Sequence, residues 1–333
     1  MDATPRKVNI TRLRQGATWL LLAGLCAVTW GLTDNFLTWY NLVENLLTNA
    51  VPIAIIAFGM TLVMIGGGFD LSVGSNVATS AVVLVLVLQA IAGAHPVVAI
   101  LVALAATLAT ATLLGALNGA MIAYVGVNPF VVTLSTMYVY RSTALVLARG
   151  GQSIQVPAAL IEPLRSLYWD GVQVGKYCVP YPVFIAVGVF LAAYYLLRLT
   201  RHGYYMYALG GNERASWLAG IRTRRVKFAT YALLGLACGV AAFVLATSSR
   251  TAEASGYQGY EMMAIAAVIV GGTPLGGGTG GLFGTLAGLL LLELIENLLS
   301  QFQVPSPYHP MVAGAIILVV VAADSLMRRQ TRT

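Results

Sequence analysis

The sequence predicts an all-α, polytopic membrane protein with about ten transmembrane helices, some broken at glycine-rich turns. Three observations carry that prediction. The 333 residues are 58% hydrophobic and only 9% charged, and the mean hydropathy is +0.81, whereas a soluble domain carries about 25% charged residues. Apolar runs recur along the whole chain at the length of a bilayer-crossing helix, about 20 residues. Between some of them stand glycine clusters, Gly66–Gly68 and Gly276–Gly278. Each glycine costs about 1 kcal/mol relative to alanine in a helix, so a cluster ends one.

In chain order, spans are expected near 16–33, 46–65, 75–93, 96–124, 129–148, 180–198, 226–248, 261–273, 281–300 and 310–327. The first follows the basic residues Arg6, Lys7, Arg12 and Arg14 and has the outline of a secretory signal. Leu25, just before Cys26, is too large for a lipoprotein cleavage box, so an uncleaved first helix is expected. The eighth span is short and runs into Thr273–Gly281. It is either a re-entrant or broken span, or a helix that stops early.

Lys and Arg set the orientation, because basic residues collect on the cytoplasmic side. Most of the 19 fall in three places: the tail from Arg6 to Arg14, the segment from Arg198 to Lys227, and Arg328, Arg329 and Arg332. Six spans before the middle segment and ten in all put these three places on one side. The expected layout is a cytoplasmic tail at 1–15, a transmembrane domain at 16–327, a cytoplasmic loop at 199–226 and a cytoplasmic tail at 328–333. The opposite side carries 149–179, with Gln152, Gln155, Glu162, Arg165, Trp169 and Asp170, which reads as an ordered cap. A second outer loop, Ser248–Glu261, is polar and rich in tyrosine. It suits either a soluble partner or an interfacial tyrosine belt.

Several function classes drop out. The net charge of +7 fits basic loops at a membrane surface. No basic cluster is interleaved with aromatics as a nucleic-acid partner would need. Cys26, Cys178 and Cys238 read as small hydrophobes, and His95, His202 and His309 are scattered, so no metal set is expected. No Ser/His/Asp constellation supports an enzyme. A phosphate-cradling G-x-x-x-x-G-K-[ST] is absent, and GGGTGG at Gly276–Gly281 lacks the Lys. No cofactor is therefore expected on this chain.

The candidate residues are the polar ones at membrane depth, where an ionisable group is costly and marks a pathway by default. Asp70 and Ser72 follow the first glycine cluster, and Asn76, Asn118, Thr133, Ser135, Tyr138 and Arg141 lie in or beside apolar runs. Glu293, Glu296 and Asn297, at i, i+3 and i+4, share one helix face. Arg141 is expected to be charge-paired, with those glutamates as candidate partners, since an unpaired buried charge is expensive. Each neutral residue has two readings, a path contact or interhelical hydrogen bonding. The segment Tyr207–Ile221, YALGGNERASWLAGI, predicts a separate short helix over Glu213–Leu218. Gly210 and Gly211 end the preceding helix, Asn212 caps the next, and Glu213 suits its positive end.

Four stretches carry a resemblance. GGGFDLSVGS at 66–75 closely resembles the GGIDLSVGS signature of membrane permeases of sugar-importing ABC transporters, the ribose, galactose, arabinose and xylose group. Gly210, Gly211, Asn212, Glu213, Ala215, Leu218, Gly220 and Ile221 match that family's GGN-E-x-A-x-x-L-x-G-I, with Trp217 where Arg is common. Pro129, Phe130, Thr133, Leu134, Thr136, Met137 and Arg141 fit a third motif, in which Ser142 replaces a Gly. GYEMMAIAAVIVGG at 259–272 resembles a fourth, with Met263 where Asp is frequent. The resemblance covers essentially the whole chain.

It implies a permease subunit that forms the path for a monosaccharide or sugar-like solute in a bacterial cytoplasmic (inner) membrane. The stretch 210–221, Trp217 included, would be the coupling helix that meets an ATP-binding subunit. The implied partners are that subunit, with ATP and Mg on it, a second permease chain of the same or homologous sequence, and a periplasmic or lipid-anchored sugar-binding protein. The alternative is an ion-coupled secondary transporter acting without an ATPase, for which Glu293 and Glu296 are the natural residues.

Overall fold

The computed structural model describes residues 10–33, 35–151 and 153–309, with scattered positions as far as Leu318. The start of the N-terminal tail, the C-terminal tail and Gln152 lie outside the described residues, and the tenth expected span, 310–327, falls outside the continuously described chain.

The first helix, α1 (Ile10–Leu32), begins earlier than expected and takes in Arg12 and Arg14. A π-helical turn, Tyr40–Leu47, leads into α2 (Thr48–Ile65). Then come α3 (Val73–Ala90), α4 (Pro96–Ala120) with a π-helical end at Met121–Val125, and α5 (Pro129–Leu147). Prolines at the first helical position suit α4 and α5, where the missing N–H has no helical partner anyway. The 149–179 stretch is ordered, as expected. It holds β1 (Ile154–Gln155), α6 (Ala158–Trp169) and a hairpin of β2 (Gly171–Val174) and β3 (Tyr177–Pro180). Trp39 stacks on Tyr177 at 4.7 Å and donates to the Cys178 carbonyl, fastening the hairpin to the bundle.

The chain returns through α7 (Tyr181–Leu199), turns into α8 (Arg201–Gly211) and the short α9 (Glu213–Leu218), and crosses again as α10 (Thr223–Ser249). A two-residue strand, β4 (Thr251–Ala252), pairs with β1. After it stand α11 (Tyr260–Val270) and α12 (Leu282–Gln301). Seven described helices are long and apolar enough to cross a membrane, and α1 and α11 add shorter apolar stretches. Nine of the expected spans coincide with these helices.

The eighth span is the broken one. The 11 residues of α11 reach about 16 Å, half of a hydrocarbon core of about 30 Å. The other half is made by the chain before it. From β4 the backbone turns back into the bundle, where the Arg141 guanidinium holds the carbonyls of Ala254 and Gly256. Tyr257 and Glu261 then lie against Gly74 in the first turn of α3. Within 248–261, Ala252 and Ala254 are buried against the bundle, while Ser249, Arg250, Glu253, Ser255 and Gln258 stay exposed. Irregular backbone at this depth survives because the protein satisfies its polar groups.

The centre of the bundle is α2 and α3. Ile55, Ile56, Met60, Met64, Leu84 and Leu88 are all buried, with α7, α10, α11 and α12 around α2. The outer faces of α4 and α7 stay apolar, with Leu101, Leu113, Phe184 and Leu191 exposed. Lipid accepts such faces as readily as protein does, so apolarity alone does not choose the central helices; small residues do. Gly115 on α4 faces Gly235 on α10, with Gly119 against Phe228 and Tyr231 and Gly239 against Leu108 and Ala111. A Cβ on Gly115 would lie 2.5 Å from the Tyr231 carbonyl and 2.8 Å from the Gly235 Cα. Cys26, Cys178 and Cys238 are free thiols, with only Cys238 buried.

Candidate functional site

The polar candidates separate into four places. The first is a closed network at the turn between α2 and α3. Asp70, 2% exposed, accepts from the Ser72 amide at 2.7 Å and the Ser72 hydroxyl at 2.6 Å. The Asn118 amide of α4 donates to the other Asp70 oxygen at 3.1 Å and to Ser72 Oγ at 2.9 Å. Its carbonyl oxygen accepts from the Tyr140 hydroxyl of α5 at 3.1 Å. Three helices are therefore tied through one buried carboxyl group, held by hydrogen bonds from Ser72 and Asn118. Asn76 donates to the Ala111 carbonyl, and Thr133 donates back to Pro129 on its own helix. These five candidates are buried and bonded within the protein, as the hydrogen-bonding reading expects.

The second place is the outer face of α5. Ser135, Tyr138, Ser142 and Thr143 are exposed there, beside Val131, Val139 and Val146. Arg141 stands at the edge of this face. The expected pairing with Glu293 or Glu296 is corrected here. Arg141 donates to backbone carbonyls of the segment before α11, and Glu261 is the carboxylate whose field reaches it. The reason is the break itself, which leaves carbonyls without helical donors, and a guanidinium supplies several donors in one fork.

The third place is the face of α12. Asn297 and Asn41, in the turn leading to α2, exchange amide hydrogen bonds at 2.9 and 3.2 Å, and Gln301 donates to Asn297 at 2.7 Å. Glu293 is buried, with Oε1 unbonded among the described residues, while Glu296 is half-buried.

The fourth is α9. Asn212 accepts from the Ala215 amide at 2.9 Å, the expected cap, and the helix spans the expected Glu213–Leu218. Glu213 also pairs with Lys227 of α10 at 2.7 Å, which props the short helix against the bundle. Trp217 is 64% and Leu218 71% exposed, and Arg214 is exposed beside them. Gly210 and Gly211 close α8, and Ala215, Gly220 and Ile221 surround the tip. Next to α9, a cleft of about 710 Å³ is lined by Tyr124, Asn128, Arg214, Trp217 and Arg224 among others. His202 of α8 stands 3.3 Å from the Thr230 hydroxyl, and burial pushes its imidazole below the ordinary histidine range.

Sequence reasoning missed Asn41, Tyr140, Tyr207 and Tyr231. The Tyr231 hydroxyl donates to the Phe69 carbonyl at 3.0 Å, and Tyr207 to that of Gly280 at 2.9 Å. Each tyrosine brings one polar atom on an aromatic ring, and Asn41 stands in a stretch with other polar residues. The only available signal was depth, since residues at matching heights on neighbouring helices are the ones that can meet.

Comparison with known proteins agrees with this architecture. The family described as "Branched-chain amino acid transport system / permease component" matches residues 42–321. The ribose import permease of Escherichia coli strain K12 is 38% identical over 94% of both chains. That of Bacillus subtilis strain 168 is 35% identical over 88% of this chain and 87% of its own. The galactose/methyl galactoside import permease of Salmonella typhimurium strain LT2 is 31% identical over 98% of both. No solved structure matches significantly. From the broken spans to the capped helix between α8 and α10, and over nearly its full length, the chain belongs to the permease family of sugar-importing ABC transporters.

Proposed function

We propose that the chain is the membrane-spanning permease subunit of an ATP-binding-cassette importer for a monosaccharide, with ribose the first solute to test. The relatives named for ribose, at 38% and 35% identity, support the solute class. They are import permeases by name, which disfavours an ion-coupled carrier working alone. The observation that carries the mechanism is α9. Trp217 and Leu218 project from a helix too short to be stable alone, held out by the Asn212 cap and the Glu213–Lys227 pair. Exposed apolar residues on a rigid helix suit insertion into a groove on a partner. That partner is an ATP-binding subunit, which carries ATP and Mg. A second permease subunit completes the path, and a periplasmic or lipid-anchored binding protein delivers the sugar. Both termini and 199–226 face the cytoplasm of a bacterial inner membrane, in keeping with the basic residues there. ATP-driven closure of the partner pushes α9 and switches the permease between outward- and inward-facing states, a two-state rearrangement of packed helices. The exposed hydroxyls of Ser135 and Tyr138 on α5 line the path, while Asp70, Asn118 and Arg141 brace it.

The test is purification from the native membrane in mild detergent, followed by reconstitution with everything that co-elutes. The expected result is a stoichiometric ATP-binding subunit and ATP-dependent ribose uptake that survives ionophores. Elution of the chain alone, with uptake that needs an ion gradient and no ATP, would overturn the reading.

A further inference from the structure

Three glycine-rich stretches, far apart in sequence, meet at one point beside α9. The Gly278 amide donates to the Ile65 carbonyl at 2.9 Å, so the loop between α11 and α12 is bonded to the end of α2. Gly210, in the last turn of α8, lies at the same junction. A Cβ there would overlap both the Ile65 carbonyl and the Gly278 amide. A Cβ on Gly277 would lie 2.6 Å from the Gly67 nitrogen. Tyr207, one turn before Gly210 on α8, donates its hydroxyl to the Gly280 carbonyl at 2.9 Å. Gly211, in contrast, has nothing within 4 Å of where its Cβ would be. On α8 the requirement for a missing side chain thus falls on Gly210 and not on Gly211, and it comes from backbone on two other elements.

These two elements are the two breaks in the bundle. One continues into Asp70 and Ser72, and through them to Asn118 and Tyr140. The other closes the half-span α11, whose opposite end is held by Arg141. Contact between backbones leaves no rotamer free to absorb a displacement, and packed protein interiors transmit strain. We propose that Gly210 and Tyr207 are positioning residues for the transport step: they lock α8, and α9 beyond it, to both broken helices, so that a push on α9 moves the two breaks together. This rests on the importer reading above.

The experiment uses the complete importer, purified with its ATP-binding subunit and reconstituted in proteoliposomes with its binding protein. ATP hydrolysed and radiolabelled ribose or galactose imported are measured together. The assembled Gly210→Ala complex is expected to import about tenfold less sugar per ATP hydrolysed. Tyr207→Phe, which removes one hydrogen bond and keeps the ring, is expected to import about threefold less per ATP. Gly188→Ala on α7, whose added methyl meets nothing within 4 Å, should match the unmodified complex. General structural damage would lower hydrolysis and import in step and leave their ratio intact. An assembled Gly210→Ala complex with an unchanged ratio overturns the proposal. Should that variant fail to assemble, Tyr207→Phe decides, and an unchanged ratio there overturns it as well. An unmodified complex that imports neither sugar overturns the importer reading, and this proposal falls with it.

Discussion

Asp70 shows how a single carboxyl group can organise membrane-embedded backbone through hydrogen bonds. Its two oxygens accept from Ser72 and Asn118, and Asn118 is fixed in turn by the Tyr140 hydroxyl. Asp70→Asn puts an NH₂ against a donor, either at Asn118 or at Ser72. Rotating the Asn118 amide would relieve one clash and withdraw the hydrogen bond it gives to Ser72 Oγ. The expected cost is about 1–3 kcal/mol, the price of a buried unsatisfied group. It is read as a fall in the thermal denaturation midpoint in detergent. Combining Asp70→Asn with Asn118→Asp restores one carboxyl group and one amide to the site, and should recover part of the loss. His202 gives a second prediction at this scale. Burial holds its folded-state pKa below the unfolded value of about 6.5. A depressed base contributes stability in full above the unfolded pKa, and that contribution is lost as pH falls through the folded one. Thermal stability relative to His202→Gln should therefore be flat above about pH 7 and decline below about 6.5. A difference that does not vary with pH would show that the imidazole is not held neutral.

Among the elements, α4 and α10 approach closely where they cross, and the contact depends on glycines. The backbone atoms of the two helices sit where side chains would otherwise stand. Gly235→Leu must push them apart, and overpacking costs about 1–3 kcal/mol or more. Loss of monodisperse protein on size exclusion is the expected outcome, with Gly188→Ala as the tolerated comparison. In α9 the balance is different, because six residues make a helix only with help from outside. Asn212→Ala removes the cap and costs about 1 kcal/mol. Hydrogen exchange over 213–218 should rise while α8 and α10 keep their protection, and co-purification of an ATP-binding subunit should weaken.

What was legible in the sequence follows from which forces act along the chain and which act across it. Spans, breaks and the α9 cap are local: apolar length, glycine clusters and an Asn before a Glu are read off consecutive residues. The break at Gly66–Gly68 and the extent of α9 were both expected, and both stand. Lateral contacts are not local. Arg141 was expected to seek a carboxylate on α12, because charge pairing is the usual economy for a buried cation. The carbonyls freed by a broken span satisfied it instead. That break was visible as a short eighth segment, but nothing in the order of residues said which side chain would cover it. The Gly115–Gly235 crossing was hidden for a related reason, since in lipid an apolar face gives no hint of its partner.

For the whole molecule, the outer face of α5 differs from those of α4 and α7 in the hydroxyls it exposes. On α4 and α7 the exposed residues at mid-depth are aliphatic or aromatic, such as Leu113, Val187 and Leu191. On α5 they include Ser135, Tyr138 and Ser142. A hydroxyl in hydrocarbon loses its hydrogen bonds to water, at a cost of several kcal/mol on alkane scales. Facing a water-filled path avoids that cost. The prediction uses single cysteines in a background where Cys26, Cys178 and Cys238 are replaced, since all three are free thiols. In the assembled importer, Ser135→Cys and Tyr138→Cys should react with a membrane-impermeant thiol reagent, and reaction should block sugar uptake. Val187→Cys, also exposed on α7, should stay unreacted. The state of the transporter supplies the sharper criterion. Trapping it with a non-hydrolysable ATP analogue should change the reaction rate at 135 and 138 and leave 187 silent, because only a path opens and closes. Equal reactivity at all three positions, unmoved by nucleotide, would place α5 against lipid and move the search for the path to the amide and carboxyl face of α12.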